Sequence, residues 1–345
     1  MSLPSFWKST VADIDQCISS INKGQVEAIA TSPGGRKVHL VSYGPKPQLA
    51  TQATYSSAVG AGNCAWYANK PADCPPTVML LGPIHGHEVE SMVGLVNLIN
   101  LVETGSDLRG RKWPILTDAF DKCRVLIIPC SNPDGRARCP LDSFVGETHD
   151  TMAHYGQGSR ADGSDYGWPG VKTRMPMTDD VGFLGAYHND DGVNMMHDSF
   201  FTTPANETAA ILALASREAP DYIAGMHSHG WEPRPLALAY APRFIKDKLH
   251  RFCEQVADRY QAEGLPFRRP DDVKEDGLDS PPPPFSLTSA LHHACGAMSF
   301  TFECPHGIGH EPYPQVDHGQ ILDIQLILYE ELLKFALANP VRWER

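Results

Sequence analysis

Short apolar runs alternate along the chain with segments of helical periodicity. Four segments carry apolar residues every three or four positions and predict amphipathic helices over 88–103, 206–218, 243–262 and 318–338. Six runs rich in β-branched residues predict buried strands over 37–44, 77–83, 124–130, 222–227, 236–240 and 298–303. Continuous apolar strands that alternate with helices are typical of a sheet covered on both faces. The pattern therefore predicts a layered α/β protein.

Two long stretches show neither pattern. Residues 135–205 are rich in Gly, Asp and His, and residues 264–290 contain four consecutive prolines, which fit neither a helix interior nor a central strand. Irregular stretches of this length are usually functional loops or disordered linkers. Because no independent core pattern begins after either stretch, we predict a single domain over 1–345 with long insertions at about 135–205 and 264–290.

The charge and the apolar content narrow the classes of function. The 345 residues carry a formal charge of −12, which argues against nucleic acid as the main partner, because phosphate binding needs an excess of Lys and Arg. No apolar run approaches the ~20 residues of a membrane-spanning helix. The first residues lack the features of a signal peptide. We therefore expect a cytoplasmic protein without nucleic-acid or membrane partners, unless a preceding segment has been trimmed away.

The nine cysteines form no Cys-x-x-Cys pair. This spacing argues against a thiolate zinc cluster and against a secreted disulfide scaffold. We expect most of them to be reduced and partly buried, with a bridge between Cys64 and Cys74 as the alternative.

The first candidate for chemistry is the stretch "GPIHGHEVE" at 82–90. It contains His-x-x-Glu twice, as His85 with Glu88 and as His87 with Glu90. The stretch joins a predicted strand to a predicted helix, and the carboxyl ends of strands are where open α/β sheets usually bind ligands. An imidazole and a carboxylate three residues apart can converge on Zn²⁺, which then needs at least one more ligand. A surface helix can carry the same pattern by chance, so the stretch alone does not decide.

Two later predicted strands supply further candidates. His227 and His229 lie at the end of one strand and point to the same side, because side chains alternate across a strand. One of them could be a ligand and the other could line a pocket, or both could lie on the surface. Glu303 is near the end of another strand among apolar residues, where a carboxylate is costly to bury unless it is paired or used. It therefore predicts either a salt bridge or a functional group.

Together these motifs resemble the zinc metallocarboxypeptidase family. The chain supplies, in the order of that family, "HGHE" (85–88), "NPDG" (132–135), "DGVNMMHD" (191–198), "MHSHG" (226–230) and "FTFE" (300–303). The resemblance extends over roughly residues 37–335. It implies a three-layer α/β/α sandwich with a mixed, mostly parallel, twisted central sheet.

The resemblance also implies a ligand set. In the family a glycine directly follows the liganding histidine, which selects His85 and Glu88, with His227 as the third ligand of one Zn²⁺ per chain. Glu303 is then expected to take a proton from zinc-activated water and to deliver it to the leaving amine. His87 and Glu90 become neighbours of the site, as a pocket wall and part of the helix surface respectively.

Three positions depart from the family pattern. Asn194 stands where the family has an aspartate that accepts a hydrogen bond from the first histidine, and an amide oxygen can still accept that bond. Met196 and His197 stand where the family has Asn-Arg, which clamps the terminal carboxylate of the substrate. Histidine lacks the fixed, permanently charged fork of arginine. We therefore expect altered recognition of a free C-terminal carboxylate.

The family uses another arginine to polarise the scissile carbonyl. Arg174 is our first candidate for this role, with Arg136 and Arg138 as alternatives. The mobile tyrosine of the family has no clear match, because no Tyr lies between Tyr260 and Glu303. The residues expected to bind substrate are Asn132, Met196, His197, His229 and Arg138.

These features predict a zinc-dependent hydrolase of peptide or amide bonds, similar to carboxypeptidases but with altered recognition of the terminal carboxylate. One alternative is a zinc-dependent deacylase of N-acyl amino acids, similar to aspartoacylase or the desuccinylases. Another is a non-catalytic metal-binding relative, which the loss of Asn-Arg favours and the retention of Glu303 opposes. The expected partner is a peptide or N-acyl amino acid substrate, and the sequence does not predict an oligomeric state.

Overall fold

The computed structural model describes residues 3–71, 73–274, 276–277 and 281–340. The strands within these ranges, numbered along the chain, are β1 (Gln25–Thr31), β2 (Lys37–Tyr43), β3 (Thr77–Leu81), β4 (Arg124–Ile128), β5 (Gly158–Arg160), β6 (Val181–Leu184), β7 (Tyr222–His229), β8 (Arg234–Leu236) and β9 (Met298–Pro305). The α-helices in the same ranges are α1 (Val11–Ser19), α2 (Tyr55–Gly60), α3 (Glu90–Thr104), α4 (Pro114–Asp121), α5 (Pro133–Arg138), α6 (His149–Gln157), α7 (Asn206–Glu218), α8 (Arg243–Ala262), α9 (Leu287–Cys295) and α10 (His318–Ala338).

Seven strands form one mixed sheet in the order β1-β2-β4-β3-β7-β9-β8. The four strands β4, β3, β7 and β9 run parallel to one another, whereas β1, β2 and β8 pair antiparallel to their neighbours. Strands β5 and β6 form a separate antiparallel pair. Because parallel strands end at the same edge of a sheet, the ends of β3, β7 and β9 lie side by side.

Helices cover both faces of this sheet. The alternation of side chains along β3 shows the two layers, because Val78 and Leu80 belong to one apolar core and Met79 and Leu81 to another. The first core also contains residues of α3, α8 and α10, and the second contains residues of α7 and α9. The predicted three-layer α/β/α architecture is confirmed.

The predicted elements agree closely with the observed ones. The four predicted helices correspond to α3, α7, α8 and α10 and differ from them by at most two residues at either end. Five of the six predicted strands correspond to β2, β3, β4, β7 and β9. The sixth prediction, 236–240, is wrong, because the strand that pairs with β9 ends at Leu236. The sequence prediction also missed β1, whose residues are mostly exposed, and the shorter helices.

The two segments predicted to be irregular differ from each other. Residues 135–205 contain most of α5 together with α6, β5 and β6, so this segment is more ordered than expected. In the segment 264–290, positions 275 and 278–280 lie outside the described residues, and the described positions before α9 form neither helix nor strand. Helix α9 begins at Leu287, inside the predicted irregular stretch.

Within the described ranges, the nine cysteines are thiols, and no disulfide joins Cys64 to Cys74. Most of these thiols are buried, as expected. None of the described helices combines the length and the apolar composition needed to cross a bilayer.

Candidate metal centre

A tight backbone turn carries the first two candidate ligands from β3 to α3. Gly82 donates its N–H to Ile128 O at 2.7 Å, and Gly86 donates to Ala186 O at 2.7 Å. Gly86 also packs directly on the backbone of the Asn-Pro-Asp-Gly motif, because a Cβ added there would lie 2.0 Å from Arg136 N and 2.2 Å from Gly135 C. The glycine after the histidine is therefore required by a close approach of two backbone segments.

His85, Glu88 and His227 converge on one point and are all buried. His85 Nδ1 lies 2.8 Å from Glu88 Oε1, His227 Nδ1 lies 2.9 Å from Glu88 Oε2, and the two Nδ1 atoms are 3.2 Å apart. Ligands of a tetrahedral zinc ion at 2.0–2.1 Å would be separated by roughly 3.3 Å. The spacing of the three donor atoms is close to that of zinc ligands.

The Asn194 side chain orients the first histidine. Its Oδ1 accepts the backbone N–H of Met196 at 3.0 Å, which identifies this atom as the amide oxygen. The same oxygen lies 3.2 Å from His85 Nε2 and can accept only an N–H from it. His85 Nε2 therefore carries the proton, and the lone pair of Nδ1 faces Glu88 and His227.

The electrostatics of the cluster favour a bound cation. Burial opposes charge on His227, but Glu88 and Glu303 outweigh it and raise the pKa of the imidazole. Burial also opposes ionisation of Glu88, yet His85 and His227 hold the pKa of that carboxyl well below its usual range. Glu88 Oε2 is buried and makes no well-aligned hydrogen bond with any described residue, although His227 Nδ1 lies 2.9 Å away. A divalent cation between the two imidazoles and this carboxylate would satisfy that oxygen, so the three residues fit a zinc site.

Glu303 lies beside the cluster on the neighbouring strand. It is in register with His227 across the parallel pair of β7 and β9. Burial raises the pKa of Glu303 to about 7; His227 opposes this shift and Glu88 adds to it. The residue remains partly exposed, whereas its neighbour Cys304 lies in the core on the opposite face of the strand. Glu303 can therefore exchange a proton with a molecule in the cleft near neutral pH.

Lys172, an exposed residue that the sequence analysis did not select, is a cation that interacts electrostatically with the cluster. Desolvation lowers the pKa of its ammonium, and the carboxylates of Glu303 and Glu88 oppose that shift, so all three groups act on one another. Arg174 is not brought to the cluster, because its side chain is exposed and donates to Asp179 O at 3.0 Å. Both residues are exposed, and their spacing in the sequence did not show that Lys172 rather than Arg174 interacts with Glu303 and Glu88.

Two other predicted substrate-binding residues have structural contacts. Asn132 is fully buried, and its Oδ1 accepts the backbone N–H of Gly135 at 2.8 Å and caps α5. Arg138 donates to the backbone oxygens of Gly185 and His188 at 3.0 and 3.1 Å and pairs with Asp190. Both side chains hold the backbone around the cleft, and their binding of substrate stays a prediction.

Met196, His197 and His229 do lie around the cluster. Burial, Lys172, His85 and His227 lower the pKa of His197 to about 4, so its imidazole is neutral near neutral pH. Met196 packs against the apolar core that contains α7 and α9. Burial, Arg234 and His306 lower the pKa of His229 to about 3. The pair at 196–197 therefore presents no permanent charge to a substrate.

Two buried contacts were missed by the sequence analysis. The Tyr187 ring stacks on His85, with ring centroids 3.6 Å apart and an angle of 10° between the planes. Glu90, expected on the helix surface, is fully buried and lies 3.1 Å from His306 Nδ1. His87 is also buried, and its ring packs against those of His306 and Tyr187. The histidines around the ligands thus form a packed wall.

The Asn-Pro-Asp-Gly motif is anchored by its aspartate. Asp134 accepts hydrogen bonds from Ser32 Oγ at 2.6 Å, from Gly34 N at 3.0 Å and from Arg36 at 2.9 Å, and the Asp190 N–H donates to it at 3.2 Å. Burial opposes ionisation, but these donors hold the pKa of Asp134 below its usual value. The carboxylate therefore ties the turn before β2 to the loop that carries Asn194.

Comparisons with known proteins agree with this arrangement. Residues 19–150 match the sequence profile described as zinc carboxypeptidase. Among solved structures, the metallo-carboxypeptidase from Burkholderia cenocepacia has a TM-score of 0.58 at 13% identity, covering 95% of this chain and 68% of that one. The predicted resemblance to the zinc carboxypeptidases is confirmed.

Two other solved structures share the fold at similarly low identity. The metallo-carboxypeptidase from Pseudomonas aeruginosa in complex with (2-guanidinoethylmercapto)succinic acid has a TM-score of 0.54 at 13% identity, covering 94% of this chain and 67% of that one. Bovine thrombin-activatable fibrinolysis inhibitor in complex with tick carboxypeptidase inhibitor has a TM-score of 0.57 at 11% identity, covering 97% of this chain and 99% of that one. A search of curated proteins finds no significant match. The matches support a zinc peptidase-like hydrolase.

Proposed function

We propose that the protein is a zinc-dependent hydrolase that cleaves a peptide or amide bond. The observation that carries the proposal is the convergence of His85, Glu88 and His227 at the carboxyl edge of the sheet, with Glu303 in register beside them. Three protein ligands leave a fourth zinc position open, which is typical of catalytic rather than structural sites. When bound, zinc supplies an activated water molecule and polarises a substrate carbonyl.

Glu303 is the proposed general base and acid. Its carboxylate accepts the proton of the attacking water and then donates it to the nitrogen of the leaving amine. A pKa raised to about 7 suits both transfers near neutral pH, since the carboxyl is readily protonated and deprotonated there. Asn194 and the stacked ring of Tyr187 keep His85 in the orientation that the ligand set needs.

Lys172 is the proposed partner of the negative charge that develops on the carbonyl oxygen. A positive charge beside the cleft stabilises such an oxyanion, because it lies close to where the negative charge develops. We therefore expect Lys172→Met to lower kcat by roughly 100-fold. Arg174→Met, which removes a charge two residues away on an exposed side chain, should leave kcat unchanged. Equal losses in the two variants would refute this role.

The enzyme proposal is tested by Glu303→Gln, with Glu330→Gln as the matched control. Glu330 is also a buried carboxyl whose pKa is raised by burial, but it lies on α10, away from the metal ligands. Zinc content would be measured alongside hydrolysis of a panel of peptides and N-acyl amino acids. We expect Glu303→Gln to keep zinc and to lose at least about 1000-fold in kcat, and Glu330→Gln to keep both.

The same panel separates the proposal from its alternatives. Met196 and His197, in place of Asn-Arg, favour substrates other than ordinary carboxypeptidase substrates. Faster turnover of N-acyl amino acids than of peptides would identify a deacylase. Zinc binding without turnover of any substrate would identify a non-catalytic relative. Unchanged activity in Glu303→Gln would rule out the proposed base.

A further inference from the structure

Three charged or ionisable side chains form a row across the sheet beside the cluster. His227 on β7 is in register with Glu303 on β9, and Glu303 is in register with Arg234 on β8. Residues directly opposite each other on paired strands project to the same face, and neighbouring strands lie about 4.8 Å apart. A metal ligand, the proposed base and a guanidinium therefore follow one another across the cleft.

Arg234 has no anionic partner in the described part of the chain. It takes part in no ion pair or hydrogen bond there, and its Nε is buried without an acceptor. Burial lowers the pKa of Arg234, the nearby Arg268 adds to this effect, and Glu303 and Asp271 oppose it. A desolvated guanidinium without an acceptor is costly, and a bound carboxylate would offset that cost.

Arg234 lines a cavity of about 490 Å³ between β8, α8 and described residues of 268–274, 276–277 and 281–283. A volume in this range is typical of pockets for small ligands. Arg268 lines the same cavity, and its nearest carboxylate, Asp271, is 3.9 Å away. Leu236 and Leu249 give the cavity an apolar wall.

Two other cations that line the cavity, Lys246 and Arg269, are paired with carboxylates of the protein itself, whereas Lys274 forms no ion pair with a described residue. Lys246 lies 2.7 Å from Asp276, and Arg269 lies 2.6 Å from Asp258 and 2.9 Å from Glu254. Arg234, which is in register with Glu303, therefore offers a positive charge that no described carboxylate pairs with directly.

We propose that Arg234 binds a carboxylate on the leaving group of the substrate. The inference rests on the proposed function, in which Glu303 donates its proton to the leaving amine. Arg234 is paired with Glu303 on the neighbouring strand and therefore lies on the side of the leaving group. A guanidinium forms two parallel hydrogen bonds with a carboxylate, which neither Met196 nor His197 can do. In this proposal the substrate carboxylate is bound by Arg234 on β8 and not by Met196 or His197.

The carboxylate can come from two sources, the chain terminus or an acidic side chain. Three substrates with one acyl part distinguish them: a leaving leucine has only the α-carboxylate, a leaving glutamic acid α-amide has only the side-chain carboxylate, and a leaving leucinamide has neither. We expect Arg234→Gln to lower kcat/KM by roughly 10- to 100-fold, mainly through KM, for the carboxylate that is bound. The leucinamide substrate should change by less than about twofold, and Arg234→Lys should recover part of the loss.

Arg217→Gln is the charge-matched control, because Arg217 pairs with Glu27 on the surface and lies outside the cavity. It should leave all three substrates unaffected. A loss confined to the leucine substrate identifies the terminal carboxylate, and a loss confined to the glutamic acid α-amide identifies the side-chain carboxylate. A uniform loss over the three substrates, or no loss, overturns the inference.

A binding measurement separates this inference from the proposed function. Leucine, glutamic acid α-amide and leucinamide would be titrated calorimetrically into zinc-loaded protein with Glu303→Gln, with and without Arg234→Gln. We expect at least roughly tenfold weaker binding of one acidic probe when Arg234 is absent, and unchanged binding of leucinamide. Absence of hydrolysis in the parent protein would refute the proposed function alone. Equal affinities for the acidic probes with and without Arg234 would refute the carboxylate site.

Discussion

Replacing Gly86 by alanine should disrupt the metal centre without removing any ligand. The added methyl group would lie 2.0 Å from Arg136 N and 2.2 Å from Gly135 C, whereas ordinary contact begins near 3.4 Å. One of the two backbone segments must therefore move by about 1.4 Å, the difference between 3.4 and 2.0 Å. His85 is the preceding residue and follows that movement.

Gly86→Ala should lower both the free energy of unfolding and the affinity for zinc. Overpacking of a side chain typically costs 1–3 kcal/mol, and here the opposing atoms are backbone, so we expect a loss of about 3 kcal/mol in the free energy of unfolding. Zinc–ligand distances tolerate deviations of only about 0.2 Å, far less than the required shift. Zinc affinity should therefore fall by more than the roughly 10- to 100-fold that loss of an outer hydrogen-bond partner costs.

The assay combines urea unfolding of the metal-free protein with calorimetric titration of zinc. Gly60→Ala is the matched control, because Gly60 ends α2 and a Cβ there meets no atom within 4 Å. The control should keep zinc affinity and gain up to about 0.5 kcal/mol in stability. Zinc affinity and stability in Gly86→Ala equal to those of the parent would show that the close backbone approach is not needed.

Three further outcomes are expected. Asn194→Ala should weaken zinc binding by roughly 10- to 100-fold in competition titrations, and an unchanged affinity would remove its orienting role. Glu303 must be deprotonated to act as a base, and a bound cation can only lower its pKa from about 7. The acid limb of the pH profile of kcat/KM should therefore have an apparent pKa at or below about 7. An apparent pKa clearly above that value would contradict the assignment. The pKa of Asp134 is lower in the folded protein than in the unfolded chain. Its contribution to the free energy of unfolding is therefore complete above the ordinary carboxyl pKa and is lost as the pH falls through the folded-state pKa. Asp134→Asn should therefore lower the free energy of unfolding by about 2 kcal/mol at pH 7 and by much less below pH 4, and a difference independent of pH would contradict the reasoning.

The sequence predicted the buried elements well because their patterns are set by the core. Strands such as β3 are buried on both faces and appear as continuous apolar runs, and α8 repeats apolar residues every three or four positions. Strand β1 has mostly exposed residues and follows no such rule. Helix α9 is short and follows a proline-rich segment, so its periodicity extends over too few residues to be recognised.

The candidate ligands were predictable because each lies at the end of a buried element. His85 and Glu88 follow β3, His227 lies on β7, and the order of the motifs along the chain matched that of the zinc carboxypeptidases. The cations were not predictable, because Lys172 belongs to a long loop whose path over the cleft has no sequence pattern. Arg234 becomes informative only through its register with Glu303, which depends on strand pairing.

Arg234 lies on an edge strand, where a substitution disturbs the sheet less than it would on an interior strand. The candidate zinc ligands and Glu303 lie on or directly after the interior strands β3, β7 and β9, which have neighbours on both sides, so substitutions there disturb the sheet. Strand β8 has a single neighbour and only three residues. Descendants of this protein could therefore exchange the residue at position 234 and acquire new preferences while the hydrolytic apparatus stays intact.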